Sequence, residues 1–118
     1  MTVESNALII GWNRAVVNRE SAAAECFAST VAYFEKLERN GKITSFDTVL
    51  LSQHGGDFNG FFVLKGTNAD LDWVRSDEEF VDNIVRATHC LTNVGVIPGY
   101  TGVSVGDMMT RWTKSIPR

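Results

Sequence analysis

The cluster Trp12-Asn13-Arg14, at the end of an apolar segment, carries the side chains best suited to hold a polar ligand. A guanidinium can bind a carboxylate through two parallel hydrogen bonds, and a carboxamide can donate through its NH₂ group. We therefore predict that Asn13 and Arg14 bind a ligand carboxylate or carbonyl, with Trp12 as an apolar wall. The alternative is that Trp12 packs in the core while Asn13 and Arg14 begin a solvated loop.

His54 stands beside Gly55-Gly56 in a glycine-rich turn. Because imidazole titrates near neutral pH, a histidine at the mouth of a pocket can act as a general base. His54 is therefore the candidate catalytic residue, and the alternative is a turn histidine in solvent. We expect Tyr100 at the polar end of the same pocket and Trp73 as a second apolar wall.

The segment Gly102 to Gly106 matches the G-x-S-x-G pattern of hydrolase nucleophiles, with Ser104 at its centre. In those hydrolases the acid and the histidine follow the serine, whereas both histidines of this chain, His54 and His89, precede Ser104. We therefore expect Ser104 to cap the terminal helix or to lie in the approach to it rather than to act as a nucleophile.

The two cysteines, Cys26 and Cys90, fall in predicted helices and form no Cys-x-x-Cys pair. Neither they nor the histidines follow the spacing of a metal site or a disulfide framework. We therefore predict buried free thiols, no metal and no cofactor.

Composition limits the partners and the compartment. The chain has 118 residues and a net charge of -3, so we expect one domain over residues 1–118 and no nucleic-acid partner. The sequence contains no apolar run long enough for a membrane span and does not start with a signal peptide, so we expect no membrane partner and a cytoplasmic location.

Two segments, Ala7 to Trp12 and Gly60 to Leu64, are apolar at both odd and even positions. Successive side chains of a strand point to opposite faces of the sheet, so these two strands must be covered on both faces.

The most regular helical pattern runs from Glu20 to Asn40, with apolar residues at three- and four-residue steps. Asn18 is the predicted N-cap of this helix, and Gly41 supplies the left-handed residue that commonly closes a helix.

A second helix is predicted to open at Ser76-Asp77-Glu78-Glu79, which has the form of a capping box. Its predicted core-facing residues are Phe80, Val81, Ile84, Val85 and Thr88. The other predicted elements are a more polar strand at 43–53, a turn of helix at 71–74, a strand at 94–97 stopped by Pro98, and a terminal amphipathic helix through 105–116.

The element order is therefore β-α-β-β-α-β followed by a last helix. Right-handed crossovers and short connections favour an α+β fold of the ferredoxin-like type, an antiparallel sheet in the order 4-1-3-2 with the helices on one face. The two strands that are apolar on both sides then lie in the centre. The other face of the sheet would expose a large apolar patch, so we predict a homodimer through that face.

This layout resembles the dimeric α/β-barrel group of ferredoxin-like proteins, which includes small cofactor-free monooxygenases, muconolactone-isomerase-like enzymes and stress-responsive barrel proteins. The resemblance is carried by the segments Ala7 to Trp12, Ser76 to Phe80 and Val94 to Tyr100. It implies a homodimer with a pocket between each sheet and its helices, filled by an apolar or aromatic small molecule. It implies no shared set of catalytic residues.

Two hypotheses for the function follow. The first is a homodimer that binds a small molecule in an apolar pocket and that, if it is an enzyme, acts as a cofactor-free monooxygenase or isomerase. The second is a non-catalytic interaction protein that dimerises through its sheet. A cavity of roughly 300 Å³ or more, with at least two of the polar side chains named above pointing into it, would favour the first.

Overall fold

The sheet is antiparallel and four-stranded. The computed structural model describes residues 3–117, and its strands are β1 (Ala7–Trp12), β2 (Ser45–Leu50), β3 (Gly60–Lys65) and β4 (Gly95–Gly99). The strands lie in the order β2-β3-β1-β4, which is the predicted order read from the opposite edge. The predicted α+β fold of ferredoxin-like topology is therefore confirmed.

The helices within residues 3–117 are α1 (Glu20–Arg39), α2 (Asn68–Ser76), α3 (Glu78–Thr88) and α4 (Val103–Lys114). α1 packs against α3, α2 contacts α3 and β1, and all three lie on one face of the sheet. α2 is longer than the predicted turn because Thr67 caps it, its hydroxyl oxygen accepting a hydrogen bond from the backbone N–H of Asp70.

The core lies between the helices and one face of the sheet. On this face Leu8 pairs with Leu64 and Ile10 pairs with Phe62, and all four side chains are buried. The alternation that puts Leu8 and Ile10 on this side of β1 also puts Trp12 there, 5% exposed. Alternation along the strands thus directs one apolar set of residues toward the helices.

The opposite face of the sheet is also apolar, but within residues 3–117 no helix packs on it. We call this surface the open face; its apolar side chains are Ile9, Val49, Phe61, Val63 and Ile97. Ile97 is 58% exposed. The prediction that the central strands are apolar on both sides is confirmed.

The start of α1 differs from the prediction. The N-cap position is Arg19 rather than Asn18, and no side chain caps the helix there. Asn18 instead has a left-handed backbone with φ of 69°, and its N–H donates to the Glu20 carboxylate at 2.8 Å. The carboxylate of the first helical turn thus takes the place of the predicted cap. The predicted left-handed residue after the helix, Gly41, is confirmed with φ of 72°.

The predicted capping box at Ser76 is wrong. Ser76 is the last residue of α2, and Asp77 occupies the N-cap position of α3 without a side-chain capping bond. The Asp77 carboxylate instead accepts a hydrogen bond from the Tyr33 hydroxyl at 2.6 Å. A long-range contact with α1 has therefore replaced the local capping interaction.

The interior stripe of α3 also differs from the prediction. Val81 and Val85, predicted to face the core, are 41% and 52% exposed, and Thr88 is exposed as well. Asn83 and Ala87 are buried in their place. The helix is therefore turned so that a polar side chain enters the interior.

The prediction that Pro98 ends the fourth strand is wrong. Pro98 lies within β4, opposite Leu8. Proline lacks a backbone N–H, and β4 is an edge strand that pairs only with β1 in the sheet, so the missing donor is tolerated there. At the other edge, β2 is shorter than the predicted 43–53.

α4 is held to the rest of the chain near its start, where the Asn6 side chain exchanges two hydrogen bonds with the backbone of Thr101. None of its residues is buried. At 100° per residue, the apolar side chains from Val105 to Ile116, the last just past the end of α4, fall within an arc of about 100°, whereas Val103 lies outside it. We call this surface the α4 stripe; it consists of Val105, Met108, Met109, Trp112 and Ile116.

No helix within residues 3–117 combines the length and the apolar composition that crossing a membrane requires.

Candidate functional site

A cavity of about 260 Å³ lies between the sheet and helices α1 and α3. Its sheet side is formed by Ile10, Trp12 and Phe62. Its helix side includes Ala23 from α1 and Ala87 from α3. Small side chains on the helices therefore face large ones on the sheet, and this difference in size leaves the space open.

Aromatic rings form one wall of the cavity. The ring centroids of Trp12 and Phe62 are 5.2 Å apart, and Phe27 stacks on Phe62 at 5.5 Å. Trp12 also meets Phe27 edge-on at 6.1 Å. A flat apolar or aromatic molecule would find ring faces and edges at van der Waals distance here.

Two buried polar side chains, Asn83 and Thr30, also line the cavity. Asn83 is 2% exposed, and its Oδ1 accepts a hydrogen bond from the Ser29 hydroxyl at 2.9 Å. Thr30 is 7% exposed, and its hydroxyl donates to the backbone carbonyl of Cys26 at 2.8 Å. The interior of the cavity is therefore apolar with one amide and one hydroxyl group.

The mouth of the cavity lies where the β2–β3 connection meets the start of α1. Leu50, Asn59 and Ala24 line the cavity and are exposed at the same time. The ends of the connection 51–59 are joined by the N–H of Leu51, which donates to Asn59 O at 2.9 Å, and the connection is attached to β1 by the N–H of Asn59, which donates to Trp12 O at 3.0 Å.

His54, the candidate general base, lies in this connection and does not line the cavity. Its Nε2 lies 2.8 Å from the carbonyl oxygen of Phe58, and the N–H of Gly56 donates to its Nδ1 at 3.4 Å. This pattern assigns the ring proton to Nε2, which donates, while Nδ1 accepts. Both ring nitrogens are therefore engaged by the backbone of their own loop. The catalytic role of His54 stays a prediction.

Arg14 and Asn13 lie beyond the end of β1. The Arg14 Nε donates to Asp57 Oδ1 at 2.7 Å, and its Nη2 donates to Gly56 O at 3.3 Å. The guanidinium therefore binds the same loop as His54, in a surface depression next to the mouth. Asn13 is half-buried, and its backbone N–H donates to Thr92 O at 2.9 Å. Their ligand-binding roles stay predictions.

The other two predicted ligand-binding residues lie elsewhere. Trp73, in α2, lines a polar groove on the helical side, where the Lys42 Nζ sits 4.3 Å from the centroid of its ring. Tyr100 follows β4 and is 37% exposed. The structure therefore brings only Trp12, of the five predicted ligand-binding residues, to the cavity wall.

Ser104 neither caps α4, whose N-cap is Gly102, nor precedes it; it lies in the first turn, where its Oγ accepts a hydrogen bond from Asn6 Nδ2 at 3.3 Å. It makes no hydrogen bond to either histidine within residues 3–117. Across the same residues, no three His, Cys, Asp or Glu side chains come together to hold a metal ion.

The two thiols lie together beside the cavity in a small cluster with Ala87. The Cys26 thiol donates to the backbone carbonyl of Asn83 at 3.5 Å and lines the cavity. Cys90 is 1% exposed, and its burial, followed by the nearby Cys26 thiol, raises its pKa above the ordinary value.

The described residues that line the cavity include no carboxylate, imidazole, ammonium or guanidinium group. A molecule bound there would meet apolar walls, one amide, one hydroxyl and the Cys26 thiol. The arrangement is therefore suited to enclose and orient a molecule, and it offers no strong acid or base to it.

Asn83 was not singled out from the sequence. The available signal is its position, three residues after Phe80 and four before Ala87, on the face of α3 that turns inward. A polar residue within a core stripe is a candidate site residue because burying it requires hydrogen-bond partners.

The sequence matches no family model, and no curated protein matches it at a significant level. The structure is similar to a dimeric protein of unknown function and ferredoxin-like fold from Bacteroides fragilis, with 11% identity and a TM-score of 0.60 over 85% of this chain and 100% of that chain. It is also similar to SnoaB, a cofactor-independent oxygenase from Streptomyces nogalater, with 12% identity and a TM-score of 0.55 over 84% of this chain and 97% of that chain. At these identities the similarity establishes the ferredoxin-like fold.

Proposed function

We propose that this protein binds a compact, largely apolar small molecule in the cavity between its sheet and helices α1 and α3. The observation that carries the proposal is an aromatic-walled space of about 260 Å³ with two buried polar groups on its surface. The space is somewhat smaller than the roughly 300 Å³ expected from the sequence, and its polar groups belong to Asn83 and Thr30 instead of the predicted polar residues. At the packing density of protein interiors, this volume accommodates roughly 10 to 13 non-hydrogen atoms. Such a cavity is small for a drug-sized ligand but suits a substituted benzene or a short terpene-like compound.

In this proposal Trp12 is a wall of the binding site and Asn83 is its main polar contact. Arg14 and His54 belong to the rim, because their loop adjoins the mouth at Asn59. Trp73 has no part in this site, since it lines a separate groove that shares no residue with the cavity.

The binding proposal is tested by titrating the ¹⁵N-labelled protein with ethylbenzene, an apolar molecule of suitable size, and following the amide signals by NMR. We expect saturable shifts concentrated at cavity-lining residues such as Ile10, Ala23 and Ile84. Native mass spectrometry of the freshly purified protein would detect a molecule carried along from the cell. Shifts that are absent, or that scatter over the outer surface of the protein, contradict the proposal.

A second candidate function is cofactor-free monooxygenation in the same cavity. Its support is the fold shared with SnoaB, a cofactor-independent oxygenase. In such a reaction an electron-rich substrate reduces O₂, one oxygen atom enters the product and the other leaves as water. Because the cavity offers no strong base, the substrate would have to be acidic enough to lose its proton readily. Oxygen consumption upon addition of a phenolic substrate panel tests this candidate, and binding without oxygen uptake contradicts it.

We further propose that the protein is a homodimer through the open face and the α4 stripe. The support is that one chain carries two apolar surfaces on which no described helix packs; on the open face only Phe58, from the β2–β3 connection, stacks on Phe61, with 5.9 Å between the ring centroids. On the open face Val63 and Phe61 are half-buried and Ile97 is 58% exposed, whereas on α4 Trp112 is 62% exposed. The similar Bacteroides fragilis protein is described as dimeric. Monomeric proteins rarely expose apolar area on this scale.

Size supports a role for α4 in this dimer. Four strands of five or six residues span about 19 by 20 Å, or roughly 380 Å². A stable interface typically buries about 800 Å² on each partner. The twelve residues of α4 add a surface of about 18 by 10 Å. The open face is therefore small for a dimer by itself, and the α4 stripe extends it.

Sedimentation at micromolar concentration tests the dimer. Val63→Lys places a charge in the centre of the open face and is expected to give a monomer. Val81→Lys makes the same change on the outer surface of α3 and is expected to remain dimeric. A monomeric wild-type protein, or a dimer unaffected by Val63→Lys, contradicts this interface. A dimer without binding of any cavity probe favours the non-catalytic interaction protein.

A further inference from the structure

Three side chains form a chain of hydrogen bonds that leads from the surface to the cavity. The Arg86 Nη1 donates to Ser29 Oγ at 3.3 Å, and Ser29 Oγ donates to Asn83 Oδ1 at 2.9 Å. Arginine can only donate, so it must use a lone pair of the serine oxygen. The hydroxyl proton of Ser29 is then directed to Asn83, and the two helices α1 and α3 are joined at this point.

This chain determines which end of the Asn83 carboxamide faces the cavity. Oδ1 is occupied by Ser29, so the NH₂ group is the end left for other partners. Among the described residues, Asn83 Nδ2 makes no hydrogen bond. Every side-chain nitrogen or oxygen that is fully enclosed there has a partner, so Nδ2 must be accessible from an open space. Because Asn83 is 2% exposed and lines the cavity, Nδ2 opens onto the cavity.

The second polar group of the cavity has the complementary character. The Thr30 hydroxyl donates its proton to the carbonyl of Cys26 at 2.8 Å, so its oxygen is left as an acceptor. The lining thus offers one donor, from Asn83, and one acceptor, from Thr30. Leaving a buried NH₂ group without a partner costs free energy, which a bound acceptor would recover.

We infer that Arg86 and Ser29 are positioning residues that hold the Asn83 NH₂ group toward the cavity, so that the site selects a molecule with a hydrogen-bond acceptor oxygen over an apolar molecule of the same shape. This inference rests on the proposed binding function. Neither Arg86 nor Ser29 touches the occupant; they act through the orientation of the amide.

Acetophenone and ethylbenzene are a suitable pair of probes, because they differ only in a carbonyl group in place of a methylene group. NMR titration gives the ratio of their dissociation constants, which isolates the hydrogen bond from the shared apolar contacts. We expect the wild-type protein to prefer acetophenone by about 3- to 10-fold, the range of one net hydrogen bond.

Ser29→Ala removes the link between Arg86 and the amide, so the preference should fall to within about twofold of unity while ethylbenzene binds as before. Ser29→Thr keeps a hydroxyl and should restore the preference. Ser21→Ala, the same change at an exposed position of α1, should leave it intact. Asn83→Leu, of similar size, should abolish the preference directly.

The outcomes separate the two proposals. If ethylbenzene binds and the wild-type protein shows no preference for acetophenone, or if the preference survives Ser29→Ala, the inference is overturned and the binding function stands. If neither probe binds the wild-type protein, the binding function fails and the inference fails with it. Because Ser29 is only half-buried, its alanine variant decides the matter even if Asn83→Leu does not fold.

Discussion

The indole of Trp12 lies against the backbone of Gly60, its partner across the β1–β3 pair. A Cβ atom on residue 60 would stand 2.9 Å from Trp12 Cζ2 and 2.7 Å from the carbonyl oxygen of Val49. The aromatic wall of the cavity can therefore take its position only because β3 begins with a residue that has no side chain.

We expect Gly60→Ala to lower the free energy of unfolding by about 1–3 kcal/mol, because the new methyl group must displace the indole or the backbone of β2. Binding of ethylbenzene should weaken with it, since Trp12 lines the cavity. Gly95→Ala is the matched control: the added Cβ would meet only the Ile97 side chain, at 3.5 Å. Urea denaturation of both variants checks this, and equal losses would show that the Trp12 contact is not the cause.

Tyr33 should make the stability of the protein sensitive to high pH. Its burial, and then the hydrogen bond to the Asp77 carboxylate, raise the pKa of its hydroxyl well above 10. The unfolded chain releases this proton near pH 10, whereas the folded protein keeps it. The stabilisation that comes from keeping Tyr33 protonated in the folded protein is thus fully present below pH 10. Above pH 10 the free energy of unfolding falls by up to about 1.4 kcal/mol per pH unit.

Tyr33→Phe should lack this contribution. All other titratable groups are common to both proteins, so the difference between their free energies of unfolding, measured by urea denaturation from pH 8 to 11.5, isolates Tyr33. We expect the stability advantage of the wild-type protein to shrink above pH 10. Two curves that stay parallel over the whole range would show that the hydroxyl is not held in its protonated form.

Ala87→Leu should close the cavity. The larger side chain extends from α3 into the space that faces Trp12 and Phe62, so ethylbenzene should bind at least about tenfold more weakly. Filling an apolar void adds contacts, and the melting temperature should stay the same or rise slightly. Ala32→Leu on the exposed side of α1 is the control and should leave binding unchanged. If Ala87→Leu binds ethylbenzene as tightly as the wild-type protein does, the ligand does not bind in this cavity.

The thiols should be protected in the folded protein. Cys26 is 2% exposed, and burial raises the pKa of Cys90, so we expect both to react with Ellman's reagent at pH 8 about 100-fold more slowly than in guanidinium chloride. In Cys90→Ala, bound ethylbenzene should slow the reaction of Cys26 further, because Cys26 lines the cavity. Fast reaction of the native protein would mean that this side of the cavity opens readily.

Strand order and the two-sided character of the sheet could be predicted from the sequence, because both depend on local patterns. Alternation in β1 and β3 fixes which residues share a face, and the polar residues of β2 place it at an edge. The helical period of α1 and the glycine after it are local as well. These features need no knowledge of distant neighbours, and the structure confirms them.

The capping interactions at Asn18 and Ser76 could not be predicted, because distant or competing groups took their place. Asp77 binds Tyr33 instead of capping α3, and Glu20 binds the backbone of Asn18. Helix propensity and capping terms are about 1 kcal/mol each, so one long-range hydrogen bond or a slightly longer preceding helix can override them.

The sequence by itself determined the fold, the apolar open face and Trp12 as an aromatic residue at the end of a central strand. Only the tertiary structure decided that Asn83 enters the cavity, since the rotation of α3 depends on how it packs against α1. It also decided that Arg14 and His54 bind their own loop. A strand's faces follow from the period of its residues, whereas a site is made of side chains from separate elements, and their meeting depends on the packing of the whole chain.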